Sequence, residues 1–276
     1  MNRGVGMITN LEQGCQDPGP IPSRPILKTR VDATSYEDAC NRIQAWAEAQ
    51  RSCYVVAANV HVVMTAYFDP AYQQVINQAA LVTPDGMPLV WGLRRLGVPH
   101  QPRVYGPDLM LAWCERAAQT GLPIYLYGGT EETLQRLIQA LQGQFPGLFI
   151  AGSHAPPFRA LSPQEEAADV ARIHQSGARV VLVGLGCPKQ EQWMARHLGQ
   201  VNAVMMGVGA AFNFFSGEVS QAPRWMMKLG LEWLYRLSQE PRRLWRRYAV
   251  NNPLFILLFG WQLLRHAPSP QRSLPK

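Results

Sequence analysis

VVLVGLGCPKQEQW, residues 180–193, decides the fold. Val180–Val183 is a short apolar run without alternation, as in a strand buried on both faces. Gly184 and Gly186 then turn the chain, and a helix is expected over Lys189–His197. The same unit recurs along the chain. Further strands are expected at Cys53–Ala57, Leu81–Thr83, Ile124–Tyr127, Leu148–Ala151 and Ala203–Met206. Helices are expected at Tyr36–Ala49, Pro70–Gln78, Asp108–Gln119, Glu131–Gln142 and Pro163–Gln175. The first has Ser35 and Asp38 at capping-box spacing, with Ala39, Ile43, Trp46 and Ala47 on one face. Short strands separated by helices predict an α/β fold: a Rossmann-like parallel sheet with helices on both faces.

In such a sheet a ligand binds outside the carboxyl ends of the strands. The segments there are Ala57–His61, Thr83–Gly86, Tyr127–Thr130, Gly184–Trp193 and Gly207–Gly217. Gly128, Gly129, Gly184, Gly186, Gly207 and Gly209 lie in them, with Lys189 and Asn213 alongside. Glycines let a ligand approach the backbone, and helix N-termini offer free N–H groups to phosphate. The pattern suits a nucleotide diphosphate; it equally suits tight turns. Neither the dinucleotide glycine fingerprint nor a P-loop occurs.

Asp85, between Pro84 and Gly86, stands directly after a strand. A carboxylate there can serve as general base toward a sugar hydroxyl, or cap a helix. Asn59 can orient a hydroxyl or cap a turn, and His61 reads as a packed histidine. No D-x-D or H-E-x-x-H occurs, so no metal site is expected. A diphosphate leaving group then needs cationic side chains and helix dipoles.

The five cysteines form no C-x-x-C pair, which argues against a zinc site or a disulfide framework and favours a reducing compartment. Residues 1–25 read as a flexible leader without a signal sequence, 26–220 as the α/β domain, 221–266 as a cationic helical appendage, and 267–276 as a loose tail. The run Leu254–Trp261, extending to Leu264, is about half of the roughly 20 residues a membrane span needs.

Charge is concentrated in the appendage. From Gln221 to Lys276 ten Lys/Arg face two Asp/Glu, a net of +8, against +7 for the whole chain. Lys228, Glu232 and Arg236 fall at i, i+4, i+8 on one expected helical face, with Met226, Leu229, Trp233 and Leu237 on another. Pro241 suits the start of a second helix, with Arg242, Arg243, Arg246 and Arg247 opposite Leu244, Trp245 and Tyr248. Arginine interleaved with aromatics suits a membrane surface or lipid phosphate. It also suits nucleic acid, but no nucleic-acid-binding signature accompanies it, and none is expected as a partner.

The succession TPDG (83–86), R-x-x-G-x-D-L (Arg103, Gly106, Asp108, Leu109), G-x-G-x-P-K-Q-E-x-W (184–193), GVG-x-x-F (207–212) and G-L-E-W-L-x-R-L-x-x-E-P-x-R (230–243) resembles the WecG/TagA/CpsF glycosyltransferase family over roughly residues 27–250. The resemblance implies an inverting, metal-independent transferase without a cofactor. It would move N-acetylmannosamine or a related sugar from a UDP donor to a polyprenyl-diphosphate-linked sugar, in cell-surface polysaccharide or teichoic-acid-type synthesis. It implies Asp85 as general base, Asn59 and Gln190 at the donor sugar, and the C-terminal arginines over the lipid diphosphate at the cytoplasmic face of the membrane. Arg224, Arg236, Arg242, Arg243 and Arg246 are the candidates for that diphosphate. Arg103 would position the donor phosphates or buttress Asp85. One departure stands out: the family's T-x-N reads Ala57-Ala58-Asn59 here. Transfer of another UDP-hexose in exopolysaccharide assembly is the near alternative. An NAD-dependent sugar-nucleotide oxidoreductase is the distant one.

Overall fold

The chain enters its sheet layers through a small antiparallel hairpin, β1 (Ser23–Ile26) and β2 (Thr29–Asp32). This is a computed structural model, and it describes residues 19–265. The segment expected as a leader therefore lies outside the described residues over 1–18, and its last residues, Ser23–Pro25, are paired strand instead. The hairpin turns on Leu27 and Lys28, with Leu27 at φ +55°. Neither residue is the Gly or Asn that announces such a turn.

After α1 (Tyr36–Glu48) the chain alternates: β3 (Cys53–Ala58), α2 (Val60–Phe68), α3 (Pro70–Asn77), β4 (Leu81–Pro84), α4 (Met87–Arg95), α5 (Gly106–Thr120), β5 (Ile124–Gly128), α6 (Glu131–Gln144), β6 (Ile150–His154), α7 (Pro163–Ser176), β7 (Val180–Gly184), α8 (Lys189–Arg196), β8 (Val204–Gly207) and α9 (Ala211–Phe215). The six strands from β3 onward form one parallel sheet in the order β4-β3-β8-β7-β5-β6. The α/β, Rossmann-like expectation holds. The expected strand at Leu148–Ala151 begins two residues later, because Leu148 is buried ahead of the pairing with β5.

Successive strand side chains point to opposite faces, and each face is covered. Tyr54, Val56, Tyr127, Val181, Val183 and Met205 pack with Val63, Ile76, Trp193 and Met194. Val55, Leu126, Leu182, Val204 and Met206 pack with Ile43, Trp113, Leu137 and Phe212. The expected capping box of α1 is half formed. Ser35 accepts from the Asp38 N–H at 3.1 Å, but the Asp38 carboxylate turns to Thr34 and Arg42.

Three helices close the described chain: α10 (Arg224–Lys228), α11 (Glu232–Gln239) and α12 (Pro241–Arg265). The continuous helical faces expected across 226–237 are broken at Gly230. It sits at φ +72°, and a Cβ there would lie 2.8 Å from the Trp91 ring. The 25-residue α12 then returns to the body. Phe255 and Phe259 join the core, Phe259 against Ile26 and Gly92. Gln262 hydrogen-bonds Leu27 N and Pro25 O, each at 2.7 Å. Among the described residues no helix is long and apolar enough to cross a membrane.

Candidate active site

The strand order turns back between β3 and β8: β3 runs out to β4 on one side, and the later strands fill the other. Such a switch point opens a crevice at the carboxyl ends of the strands. Its first bank is fixed by register. Ala58 pairs with Pro84, so Asn59 and Asp85 leave the sheet side by side. Asn59 is the N-cap of α2: its Oδ1 accepts from His61 N at 3.0 Å and Val62 N at 3.3 Å. That fixes the other end of the amide, whose Nδ2 points to Asp85 Oδ2 at 3.4 Å. The capping and functional readings of Asn59 are thus compatible.

Asp85 is likewise tied to a helix start. Its Oδ1 accepts from Gly106 N, the first residue of α5, at 2.7 Å. The side chain is buried, with the residue 8% exposed. Burial pushes its carboxyl up to about 6; Arg103 opposes this, Glu232 adds to it, and the Gly106 and Asn59 bonds favour the ionised form. A carboxyl that ionises near neutrality, with Oδ2 held only by one long contact, is suited to take a proton. Arg103 is buttress rather than direct partner: its Nε donates to the Asp85 main-chain oxygen, and Nη2 pairs with Glu232 at 2.6 Å. Ala57 packs beside them, its Cβ 3.0 Å from where a Cβ on Gly106 would lie.

The second bank is Gln190. Its Oε1 accepts from Gly186 N at 3.2 Å, and its Nε2 donates to Glu191 at 2.8 Å. The amide lies against Gly207, where a Cβ would be 3.0 Å from Nε2, and within 3.5 Å of a Cβ on Gly209. Glu191 is fully buried, accepts also from the Tyr72 hydroxyl at 3.1 Å, and is pushed up by burial. His61 is the packed histidine expected: burial, with Arg247 nearby, lowers it to about 4, and Asn251 contacts its Nδ1 at 3.2 Å.

The sequence model of the glycosyl transferase WecG/TagA/CpsF family matches residues 24–269. The chain belongs to that family. It is a glycosyltransferase of cell-surface polymer synthesis, working in general terms with a sugar-nucleotide donor and a lipid-linked acceptor.

Set against this WecG/TagA/CpsF frame, several expected site residues have other duties. Gly128, Gly129 and Gly184 do not line an open strand end. A Cβ on Gly184 would lie 2.5 Å from the Phe212 ring, and one on Gly128 would lie 2.7 Å from the Gly184 carbonyl carbon. These glycines admit Phe212 of α9, which plugs the ends of β5 and β7, and Gly129 at φ +72° leads into the Thr130 cap of α6. Asn213 is exposed and donates to Glu218 at 2.8 Å, so its amide is committed outside the Asp85–Asn59 group. Gly186, at φ +77° with open space around it, and exposed Lys189 at the start of α8 keep the freedom a ligand needs.

The arginines sort differently as well. Arg224 is held by Asp108 through two bonds of 2.6 and 3.1 Å, and Arg243 pairs with Glu240 at 2.5 Å. Arg242 and Arg246 are exposed on α12. Arg247, expected on the same outer side, turns inward instead. It lies within electrostatic reach of Cys187, His61, Arg236 and Arg243, its Nε is buried, and burial lowers its proton affinity. Arg236 lies over Phe214 at 5.8 Å. Glu232, Tyr105, Glu191 and Arg247 contact or lie near the candidate site and were not among its expected residues. For Glu232 the signal was present: one of two acids in a strongly basic segment.

Proposed function

We propose that this chain is an inverting, metal-independent transferase that moves a hexosamine from a UDP donor to a polyprenyl-diphosphate-linked sugar. The observation that carries the reading is Asp85: a buried carboxyl with an elevated pKa, oriented by Gly106 and Asn59 at the switch-point crevice. The acceptor hydroxyl gives its proton to Asp85 as its oxygen bonds to the donor C1. The bond from C1 to the UDP oxygen breaks, and UDP leaves with its electron pair. Attack from the face opposite the leaving group inverts C1. Asn59, beside Asp85, and Gln190, against Gly207 and Gly209, are the polar contacts we assign to the donor sugar. Gly186 keeps the backbone open nearby, whereas Gly207 is filled by Gln190 and Met194.

Arg247, with Arg236 and Arg243 within its electrostatic range, supplies positive charge with them for a diphosphate. An apolar groove lined by Met226, Leu234, Tyr235, Leu237 and Pro241 lies on the same helices and suits the first units of a polyprenyl chain. The exposed apolar side of α12 suits the membrane surface from which that lipid is drawn, on the cytoplasmic side. N-acetylmannosamine is the leading donor sugar. Ala57, where the family pattern has threonine, favours testing other UDP-hexoses beside it.

The test is a panel of UDP-sugars with a short-chain polyprenyl-diphosphate-GlcNAc acceptor, scored for transfer and for anomeric configuration. Transfer with inversion is expected, and Asp85→Asn should lower kcat by about two to four orders of magnitude. Near-parental transfer by that variant would remove Asp85 from the role of base.

A further inference from the structure

We propose that Glu232, carried by the appendage, is a positioning residue for Asp85: it holds the Arg103 guanidinium off the Asp85 carboxylate, leaving the base free of an ion pair. The proposal rests on the reading of Asp85 as the base.

The geometry is specific. Arg103 and Glu232 are both largely buried, with side chains 17% and 15% exposed. Arg103 Nε is bound to the Asp85 main-chain oxygen, so the guanidinium already stands at the residue it could neutralise. Its Nη2 is drawn the other way by Glu232 Oε2 at 2.6 Å. The guanidinium lies over the Tyr105 ring, its Cζ 4.2 Å from the ring centre. The Tyr105 hydroxyl donates to the second Glu232 oxygen at 2.9 Å, which fixes that carboxylate. Among the described residues the Asp85 carboxylate accepts from Gly106 N and Asn59 Nδ2, and Arg103 reaches only the main-chain oxygen.

A buried guanidinium keeps a carboxylate partner where one is in reach, because an unpaired buried charge is unfavourable. Without Glu232 the partner in reach is Asp85. The charged groups facing Asp85 are Arg103 and Glu232; the phenols Tyr36 and Tyr105 also face it, and burial keeps both neutral. An arginine on the carboxylate would depress its basicity and occupy the oxygen meant for the acceptor proton. The appendage turn that places Glu232 is itself built in: Gly230 packs against Trp91 and Met87 of α4, the helix that follows Asp85 and Gly86. The base is thus prepared by a residue from the segment proposed to meet the acceptor.

The test uses the full-length protein labelled with carboxyl-13C aspartate, the Asp85 signal being assigned by its loss in Asp85→Asn. Glu232→Gln should lower the Asp85 pKa by about one unit or more. In an Arg103→Met background the same change should produce less than half that shift, because only the direct charge effect is left. Tyr105→Phe, a milder change, should shift the titration in the same direction by less. With UDP-N-acetylmannosamine and the short-chain acceptor, Glu232→Gln should lower kcat about tenfold or more while the donor KM stays within about twofold. An unmoved Asp85 titration, or equal shifts with and without Arg103, would overturn the proposal, and a kcat loss with no titration shift would mark Glu232 as structural only. Transfer surviving in Asp85→Asn would instead defeat the reading of the base, while the carboxyl titration still judges the positioning.

Discussion

Asp85 joins two requirements that oppose each other. Its Oδ1 bond to Gly106 N secures the entry to α5, while its burial makes ionisation unfavourable. The carboxyl rises from the usual 3.8 to about 6. The folded pKa therefore lies above the unfolded one. The associated stability is fully present below pH 4 and is lost as pH rises through about 6. At about 1.4 kcal/mol per pKa unit, the ionised carboxylate costs the fold about 3 kcal/mol at pH 8. Asp85→Asn, which cannot ionise, should then melt higher than the parent at pH 8, with the gap closing toward pH 5. Thermal melts at the two pH values check this, and a constant gap would mean that the carboxyl does not titrate in this range. The kcat–pH profile of the parent should carry an acid limb with an apparent pKa near 6, activity rising as the base ionises.

At the scale of elements, glycines at one sheet edge do two kinds of work, and the sequence does not separate them. Gly184 is filled by its own protein: Phe212 leaves 2.5 Å for a Cβ. Gly186, two residues on, faces open space and needs glycine only for φ +77°. Gly184→Ala should therefore destabilise the fold by about 3 kcal/mol through overpacking against a fully buried ring. Gly186→Ala should cost about 1 kcal/mol from backbone strain. Urea unfolding of the two variants checks the ranking, and a reversed order would place the ligand-facing surface at Gly184. The six strands of the parallel sheet and most of the helices between them were legible because uniform apolar runs alternate with amphipathic segments. The β1–β2 hairpin was not, since Leu27 and Lys28 carry no turn signal. Helix α2 was hidden by its β-branched sequence VHVVMTAYF, and α4 by an internal glycine and an early proline. Asp85 and Asn59 were legible from their place after strands. Glu232 stood out only as one of two acids in a basic segment; its link to Arg103 and Tyr105 was not legible, because they lie 129 and 127 residues away in the chain.

At the scale of the whole molecule, charge and apolar exposure sit on one side of the chain's end. The segment after residue 220 carries +8, and the rest sums to −1. In the second half of α12, Phe255 and Phe259 face the core, while Ile256, Leu257, Trp261 and Leu264 are 69%, 69%, 56% and 76% exposed. At 100° per residue those four share one side of the helix, opposite the two phenylalanines. Arg242 and Arg246, one turn apart, stand exposed on the first half. An apolar strip in line with exposed arginines is the composition of an interfacial helix, and it is the basis for placing this surface on the membrane. Deleting the appendage would not test that cleanly, because Phe255 and Phe259 belong to the core. Point changes do. The full-length protein should float with vesicles containing phosphatidylglycerol and much less with phosphatidylcholine alone, the difference shrinking in high salt as the arginines are screened. Ile256→Asp with Leu257→Asp and Trp261→Glu removes three side chains, each worth about 1 kcal/mol at the interface. Vesicle affinity should then fall roughly a hundredfold or more while the melting temperature holds, since none of the three is buried. Undiminished flotation of that variant would move the proposed membrane-facing surface away from α12, and with it the proposed route of a lipid-linked acceptor to Asp85.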